Sequence, residues 1–310
     1  MTDHPIIAIA GAGGDLGARI ARALIARGAT VRAIVRHGLT DMEQSRIADL
    51  GVTLVAADPG NVTEVAAAVA GATCVVSALN GLRDVMIDRQ GVLLDAAVLA
   101  GVPRFIPSDY AADFTKTRPG DNRNFDLRRE FMARADQIAI ARPIKITSVL
   151  NGAFMDMLGR EMPIIQSRIS RVLYWNDADQ VLDFTTKNDV AAFVAAAAID
   201  ARTPRFLRIA GDTISAKGLA QAMTVVTRTP YKALWVGSTW MLSGVIGIAR
   251  RLAPQPNDTF PAWQGMQYMR DQFSGRAQLT PLDNDRYPDL RWTSVQQMME
   301  TRVAAGIAPA

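Results

Sequence analysis

Residues 1–150 alternate short runs of apolar, mostly β-branched residues with longer amphipathic segments. This alternation is typical of a parallel β-sheet whose strands are connected by crossover helices. The apolar runs predict strands at residues 6–10, 30–35, 52–57, 73–79, 104–108 and 144–150. The amphipathic segments predict helices at residues 15–27, 41–50, 61–70, 83–100 and 125–141. Glycines stand where four of these helices should end, as left-handed helix caps require: Gly28, Gly51, Gly71 and Gly101.

Six strands joined by right-handed connections form an α/β fold, a doubly wound parallel sheet of the Rossmann type. In such a sheet ligands bind outside the carboxyl ends of the strands, so we expect functional residues just after each apolar run. The pattern is less regular beyond residue 150 and predicts a smaller C-terminal α+β lobe. We therefore predict a nucleotide-binding Rossmann domain at residues 1–155 and a substrate-binding lobe at residues 156–310, with the chain free to cross between them.

Two segments of the C-terminal lobe have a distinct pattern. Residues 182–200 predict an extended piece followed by a helix that Asn188 or Asp189 caps. Residues 233–249 carry no charge, but they are fewer than the roughly 20 apolar residues that a membrane span needs. We expect them to form a helix over the substrate cleft, and we predict no membrane span.

The charge balance argues against nucleic acid as a partner. The 310 residues include 34 Lys and Arg and 30 Asp and Glu, which gives a net charge of +4. The basic residues are scattered and their densest clusters are pairs, such as Arg128-Arg129 and Arg250-Arg251, so the sequence contains no basic track for nucleic acid. A small anionic ligand fits this balance better.

The cysteine and histidine content excludes further chemistry. The one cysteine, Cys74, lies in an apolar run, which predicts a buried strand thiol and no intrachain disulfide. His4 and His37 are too few for a zinc site or a serine or cysteine triad, so we predict no metal. The N-terminus enters a strand-like run without a basic region or cleavage site, which predicts no signal peptide and a cytoplasmic location.

The segment GAGGDLG at residues 11–17 follows the first predicted strand and opens the first predicted helix. In this context a glycine motif predicts a site for the pyrophosphate of a dinucleotide, the alternative being a glycine-rich turn without a ligand. The glycines allow a tight turn, close approach of backbone to phosphate and close packing of helix on sheet. The phosphates would meet N–H groups at the positive end of the helix dipole. The predicted cofactor-binding residues here are Gly11, Gly13, Gly14, Asp15, Leu16 and Gly17.

The end of the second predicted strand indicates which dinucleotide binds. This strand is followed by Arg36, and the next acidic residue is Asp41. An Asp or Glu about 20 residues after the glycines bonds the ribose 2′-hydroxyl of NAD, whereas an Arg accommodates the 2′-phosphate of NADP. Arg36, with or without His37, therefore predicts NADP(H), the alternative being a solvated arginine at a strand end.

Several longer segments together resemble one family. They are GAGGDLG with Arg36, VPRFIPSDYAADF (102–114), NFDLRREF (124–131), LNGAFMDML (150–158) and DRYPDLRWTSVQQMM (285–299). Over nearly its whole length the chain resembles the NmrA-like branch of atypical short-chain dehydrogenases, close to the isoflavone reductases and phenylcoumaran benzylic ether reductases. The resemblance implies an NADPH-binding Rossmann domain, a smaller substrate lobe and, in the enzymes, hydride transfer to a phenolic or enone-like carbon. Several relatives bind the nucleotide without known catalysis and act as redox sensors.

The resemblance also assigns positions near the cofactor. Ser77 to Asn80 match the turn that passes the nicotinamide ribose, Pro107 to Tyr110 match a turn at the cleft, and Asn151 to Phe154 match the wall beside the nicotinamide. Asp58 matches an adenine-side position, with a plain turn residue as the alternative. The cofactor-binding residues implied in this way are Asp58, Ser77, Ala78, Leu79, Asn80, Pro107, Ser108, Asn151, Gly152, Ala153 and Phe154.

The chain departs from the family at the family's catalytic lysine. Counting from Phe125 places Arg128 at that position. Lysine can have its pKa lowered by burial and then shuttle a proton, whereas a guanidinium stays protonated at any working pH. Arg128 could stabilise an oxyanion or be an ordinary helix-surface residue, and the proton would come from Tyr110, Asp109 or a water that they hold. A turn cap is the alternative for Asp109, and a packed aromatic residue is the alternative for Tyr110.

We therefore expect an NADPH-dependent reductase whose catalytic candidates are Arg128, Tyr110 and Asp109. Its substrate would be a small, largely apolar molecule, aromatic or of the enone or quinone type. The alternative is a non-catalytic redox sensor that binds NADP(H) and passes its ligand state to a partner protein. A homodimer is left open. Five residues of the C-terminal lobe are expected in its core more often than in a substrate site and are not assigned to the site: Trp235, Trp240, Trp263, Met266 and Tyr268.

Overall fold

The computed structural model describes residues 4–159 and 161–308. The chain divides into two compact units. The first unit comprises Met1–Tyr110, Leu127–Val149 and Val190–Leu207. The second unit comprises Ala111–Asp126, Leu150–Asp189 and Arg208–Ala310. The domain boundary between residues 155 and 156 stays a prediction.

A six-stranded parallel sheet forms the centre of the first unit. Its strands are β1 (Ile6–Ala10), β2 (Thr30–Val35), β3 (Thr53–Ala56), β4 (Cys74–Ser77), β5 (Arg104–Ile106) and β6 (Lys145–Ile146). They lie in the order β3-β2-β1-β4-β5-β6, and every neighbouring pair is parallel. This order is that of the dinucleotide-binding Rossmann sheet, so the predicted fold class is confirmed.

Helices connect these strands. They are α1 (Asp15–Ala26), α2 (Asp41–Ala48), α3 (Val62–Val69), α4 (Gln90–Leu99) and α5 (Arg123–Ala141). The four glycines predicted at helix ends have φ angles between 67° and 82°, which is the left-handed conformation that such caps need. On the sheet, Val75 and Phe105 pack in one core cluster with Phe131 of α5. Cys74 is buried in β4, as predicted.

Two predicted elements are divided in the structure. The predicted helix at 83–100 begins with a π-helical turn, Asp84–Arg89, before α4. The predicted strand at 144–150 becomes β6 and a separate strand β7 (Ser148–Leu150). The division follows from a change of partner, because the Thr147 N–H donates to the Phe105 carbonyl whereas the Ser148 N–H donates to the Arg205 carbonyl.

The later part of the chain supplies short strands and further helices. The strands are β8 (Ala153–Phe154), β9 (Ile165–Gln166), β10 (Arg171–Tyr174), β11 (Val181–Thr185), β12 (Phe206–Arg208), β13 (Asp212–Ser215) and β14 (Lys232–Trp235). The helices are α6 (Lys187–Ile199), α7 (Ala216–Thr227), α8 (Thr239–Leu252), α9 (Ala262–Phe273) and α10 (Val295–Ala304). The second unit contains two three-stranded sheets, β14-β10-β9 and β13-β11-β8, while β12 pairs with β7. Phe184, Leu219 and Phe273 belong to its core.

The prediction of one helix over 233–249 is wrong. β14 ends at Trp235, Gly237 has a φ of 134°, and α8 begins at Thr239. A positive φ lies outside the right-handed helical region, so the chain must bend at Gly237 before a helix can begin. Ser238 then caps α8 by accepting a hydrogen bond from the Met241 N–H at 3.1 Å. Within the part of the chain that the structure describes, we find no helix with the length and apolarity that crossing a bilayer requires.

The extended piece and helix predicted at 182–200 are present as β11 and α6. The predicted cap is wrong, because Thr186 takes that role instead of Asn188 or Asp189. Thr186 Oγ1 accepts a hydrogen bond from the Asp189 N–H at 3.1 Å, which satisfies one of the first N–H groups of the helix.

Candidate functional site

The glycine segment forms a tight turn between β1 and α1. The Gly14 N–H donates to the Gly11 carbonyl at 3.0 Å, which closes the turn. Gly11 has a φ of 90°, and a Cβ there would lie 2.6 Å from the carbonyl oxygen of Ala78, just after β4. A Cβ on Gly17 would overlap the Gly11 carbonyl group. Glycine is therefore required at both positions by backbone approach, as the motif predicts.

The N-terminus of α1 is open on the side of this turn. Gly14 is the N-cap and has no side chain to bond the first N–H groups of the helix. Gly13 and Gly14 are exposed, and Leu16 is half-buried. Asp15 accepts a hydrogen bond from Arg19 Nε at 2.7 Å. An exposed helix N-terminus without a side-chain cap is suited to hold an anion.

Two exposed guanidinium groups follow β2 in the chain. Arg36 is exposed, and its Nη2 lies 3.1 Å from Glu43 Oε1. Arg46 Nη2, from the last turn of α2, donates to the Gly13 carbonyl at 3.3 Å. Hydrogen bonds from the Thr40 N–H and hydroxyl, and the nearby Arg36 charge, lower the pKa of Glu43, so this carboxylate is ionised at neutral pH. Arg46 is not among the residues predicted from sequence, although its place in the helix after β2 is a usable signal.

In the loop after β3, Asp58 forms a turn that is held by local hydrogen bonds. Asp58 Oδ1 accepts a hydrogen bond from the Gly60 N–H at 2.9 Å, and the Asp58 N–H donates to Glu64 Oε2 at 3.0 Å. His37 Nε2 lies 2.8 Å from the same Glu64 oxygen, and this contact is the main reason why the pKa of Glu64 is lowered. The structure therefore connects His37 to the Asp58 loop through Glu64.

The ends of β4 and β5 are joined by polar contacts. The Ser108 hydroxyl donates to the Leu79 carbonyl at 2.6 Å, and the Ser108 N–H donates to Gln90 Oε1 at 2.8 Å. Gln90 is fully buried where the π-helical turn meets α4, and sequence analysis gave no signal for it. The Ser77 hydroxyl is also buried and has no hydrogen-bond partner among the described residues. By contrast, Asn80 is exposed.

Asp109 lies at the buried end of a hydrogen-bond network in the first unit. The Ser148 hydroxyl donates to Asp109 Oδ2 at 2.6 Å and accepts from Arg205 Nη1 at 2.7 Å. Arg205 Nε in turn donates to Asp136 Oδ1 at 2.6 Å. Asp109 is fully buried, and its Oδ1 has no partner among the described residues. The Asp109 N–H donates to the Pro107 carbonyl at 2.9 Å, which folds the turn after β5.

Burial raises the pKa of Asp109 above the ordinary aspartate value. The Ser148 hydrogen bond and the positive charges of Arg128 and Arg205 act in the opposite direction. Arg128, in α5, is buried, with 9% of its surface exposed, and is close enough to act on the Asp109 charge. The structure therefore brings Asp109 and Arg128 together, whereas sequence reasoning missed Ser148 and Arg205.

Tyr110 is the third catalytic candidate, and its hydroxyl is buried. This hydroxyl has no hydrogen-bond partner in residues 4–159 and 161–308. Burial and the neighbouring Asp109 carboxyl raise the pKa of Tyr110 above its ordinary value. Tyrosine is thus held in its neutral form, further from titrating at neutral pH than a free phenol.

In the second unit, Asn151 combines a fixed backbone with an unsatisfied side chain. Its N–H donates to the Ala111 carbonyl at 2.9 Å, and its carbonyl accepts from Thr185 Oγ1 at 2.7 Å. Its side-chain amide is buried and has no hydrogen-bond partner among the described residues. Gly152 follows with a φ of 70°, and a Cβ there would lie 2.7 Å from the Asp183 carbonyl carbon. Ala153 and Phe154 form β8.

The second unit also contains an apolar cavity of about 330 Å³. It is lined by Pro163, Leu173, Trp175, Val236, Met241, Leu242, Val245, Met266 and Met269. Ligand pockets of roughly 300–1,000 Å³ with mostly apolar walls suit small organic molecules.

The family of the chain follows from its match to a known profile. The profile of the NmrA-like family matches residues 3–236. The chain belongs to the NmrA-like family, so the resemblance found in the sequence is confirmed.

Individual relatives are more distant. A probable pinoresinol-lariciresinol reductase 3 from Arabidopsis thaliana is 27% identical over 203 residues, and the match covers 64% of this chain and 64% of the relative's own length. The solved structure of AtPrR2 with NADP+ and (+)pinoresinol is 20% identical, with a TM-score of 0.74 over 97% of this chain and 99% of that chain. Leucoanthocyanidin reductase from Vitis vinifera in complex with NADPH is 16% identical, with a TM-score of 0.77 over 96% of this chain and 99% of that chain. At these identities the solved structures share the fold with this chain.

Proposed function

We propose that the protein is an NADPH-dependent reductase of a small, largely apolar molecule. The observation that carries this proposal is the glycine turn, whose backbone approaches Ala78 too closely for any side chain and leaves the N-terminus of α1 open. The relatives solved with NADP+ or NADPH support the same cofactor. NADP(H) is thus the ligand to test first.

The residues at this turn fit a doubly phosphorylated dinucleotide. The open N-terminus of α1 would hold the pyrophosphate, because its N–H groups and dipole favour negative charge. Arg36 and Arg46 would hold the 2′-phosphate, since planar guanidinium groups bind phosphate strongly. Glu43 forms an ion pair with Arg36 and fixes the position of its guanidinium group. The Glu43 carboxylate repels a phosphate on the side of Arg36 that it occupies. When bound, NADPH would supply the two electrons and one hydrogen of the reduction.

Asp109 is the better candidate for the proton that a reduction also requires. Burial raises its pKa above the ordinary aspartate value, so Asp109 holds its proton to higher pH than a free aspartate does, and general acids in other enzymes use the same effect. The pKa of Tyr110 is raised in the direction that makes proton release harder. Arg128 would stabilise negative charge that develops on the substrate. Ser148 and Arg205 would orient Asp109 and limit how far its pKa rises.

The substrate class follows from the apolar cavity and the named relatives. Aliphatic side chains, three methionines and one tryptophan line the cavity, and no polar side chain is among them to bind a sugar or an acid. The AtPrR2 structure contains (+)pinoresinol. We infer an aromatic, enone-type or quinone-type substrate.

Titration of purified protein with NADPH and with NADH tests the cofactor. Arg36→Ala should weaken NADPH binding at least tenfold and leave NADH binding nearly unchanged, because only NADPH carries the 2′-phosphate. The matched control is Arg22→Ala, which removes the same charge from an exposed position of α1. Equal losses for both nucleotides in Arg36→Ala, or no binding of either nucleotide to the parent protein, would contradict the proposal.

A non-catalytic NADP(H) sensor is the second candidate. It is favoured by Arg128 at the position of the family's lysine, since a guanidinium does not release a proton at working pH. NADPH absorbance, followed with a panel of enones, quinones and aromatic ethers, separates the two candidates. Tight binding without oxidation across the panel would favour the sensor. Oxidation that is lost in Asp109→Asn but retained in Tyr110→Phe would favour the reductase with Asp109 as its acid.

A further inference from the structure

An exposed apolar surface on α8 extends beyond the apolar cavity that the proposed function uses. Met241, Val245, Ile248 and Leu252 follow one another at intervals of three or four residues and are 49%, 49%, 60% and 81% exposed, respectively. Residues at this spacing lie on one face of a helix. They therefore form a continuous apolar strip along α8, which we call the α8 strip. The adjacent face of α8, with Leu242 and Ile246, is buried.

Two tryptophans beside this strip are also exposed. Trp235, at the end of β14, is 55% exposed, and Trp240, in the first turn of α8, is 82% exposed. The expectation that they lie in the core is wrong. β14 is an edge strand of its sheet, and Trp240 lies away from the buried face of α8. Tryptophan is enriched where an apolar phase meets water, because its ring is apolar and its N–H is polar.

The stretch of chain around this surface has basic residues and no acidic ones, and one of its basic residues, Lys217, is paired with Asp179 at 2.6 Å. Residues 213–257 contain no Asp or Glu. The basic residues in the same stretch are Lys217, Arg228, Lys232, Arg250 and Arg251. Lys232 and Arg251 are exposed at β14 and at the end of α8. A helix with an apolar face, exposed tryptophan and adjacent basic residues is typical of a helix that lies in the surface of an anionic membrane.

We propose that the α8 strip docks the protein on a bilayer that contains anionic phospholipid. Lipid headgroups would neutralise the basic residues, and the acyl boundary would cover the apolar side chains. A second copy of the chain fits less well, because a two-fold interface places the same patch against itself. The exposed Lys232 and Arg251 would then face their own copies without an acidic residue from 213–257 between them.

The apolar cavity of the second unit lies at the edge of this surface. Val236, Met241 and Val245 line the cavity, and they are also 37%, 49% and 49% exposed. An apolar molecule dissolved in the bilayer could therefore reach the cavity of a docked protein without passing through water. This proximity favours a membrane over a soluble protein partner.

Co-sedimentation of the full chain with vesicles tests the proposal. We expect binding to vesicles of phosphatidylcholine mixed with phosphatidylserine, weak binding to phosphatidylcholine alone, and a loss of binding as salt is added. The double variant Ile248→Ser with Leu252→Ser should bind at least tenfold more weakly. The double variant Lys232→Gln with Arg251→Gln should lose roughly 25-fold, at about fivefold for each basic residue. The control Ile140→Ser, at a side chain of α5 that is 87% exposed, should bind as the parent does.

Tryptophan fluorescence of the unmodified protein gives an independent measurement. Trp235 and Trp240 should shift to shorter wavelength when anionic vesicles are added, because their rings leave water. Absence of binding to anionic vesicles overturns the proposal, and so does equal binding by the Ile248→Ser, Leu252→Ser variant. Sedimentation equilibrium covers the remaining case: a dimer that this double variant abolishes, without any vesicle binding, would assign the strip to a second copy instead.

Discussion

Replacing Gly17 by alanine tests how closely α1 approaches the glycine turn. The added methyl group would overlap the Gly11 carbonyl, lie 2.7 Å from its carbon and lie 3.1 Å from Ala12 Cα. These are backbone atoms, so α1 must move away from the turn to admit the methyl group. Such overpacking costs roughly 1–3 kcal/mol. Alanine in place of glycine inside a helix contributes up to about 1 kcal/mol in the other direction. We therefore expect Gly17→Ala to lower the free energy of unfolding by up to about 2 kcal/mol.

Gly244→Ala is the matched control for this substitution. Gly244 lies inside α8, and a methyl group there would meet no atom within 4 Å, so only the gain in helix propensity remains. The two glycines lie in different units, so each variant is compared with the parent protein and not directly with the other variant. The measurement is urea unfolding followed by circular dichroism. Gly244→Ala should be slightly more stable than the parent. A Gly17→Ala variant that gains stability over the parent, as Gly244→Ala should, would refute the close packing of α1 on the turn.

Further predictions concern buried polar groups. Ser148→Ala should lower the free energy of unfolding by about 2–4 kcal/mol, because Asp109 and Arg205 each lose a buried hydrogen-bond partner. The control Ser45→Ala, at an exposed position of α2, should change it by less than about 0.5 kcal/mol. Equal stability of the two variants in urea would contradict the hydrogen-bond network around Asp109. Burial raises the pKa of Asp109, so the folded protein binds this proton more tightly than the unfolded chain and loses stability as pH rises from about 4 towards the folded pKa. Asp109→Asn should therefore gain stability relative to the parent over this rise, and a difference that is constant from pH 4 to 8 would count against the raised pKa. Burial raises the pKa of Cys74 to about 12, so a thiol reagent should label no cysteine in the folded protein and one per chain in denaturant; rapid labelling without denaturant would show that the thiol is accessible.

Much of the fold could be predicted because its signals are local. The apolar runs of the sheet are continuous since helices cover the strands, and each strand therefore stands out from the amphipathic segments around it. Glycines at helix ends and in the β1–α1 turn are required by φ angles and backbone contacts within a few residues. Two predictions were wrong where a single residue decides the boundary of an element. Gly237 separates β14 from α8, and Thr186 caps α6.

The candidate site could be predicted only in part. The residues of the glycine turn and Arg36 carry a motif, but Arg46 approaches Gly13 across 33 positions of sequence. Ser148 and Arg205, which hold Asp109, are 57 positions apart and carry no motif. The exposure of a side chain could not be predicted either. A tryptophan has the same spacing from its apolar neighbours in the sequence whether its face of the helix is buried or exposed. Trp240 was therefore expected in the core and lies on the surface.

The sequence by itself determined the order of strands and helices, the glycine turn and the family. These depend on hydrophobic spacing, on backbone conformations that only glycine adopts easily, and on motifs that are contiguous in the chain. Tertiary structure alone decided which side chains meet at Asp109, how far burial raises its pKa and which face of α8 stays exposed. These properties depend on distances and on the exclusion of water, and both arise only when segments remote in sequence pack together.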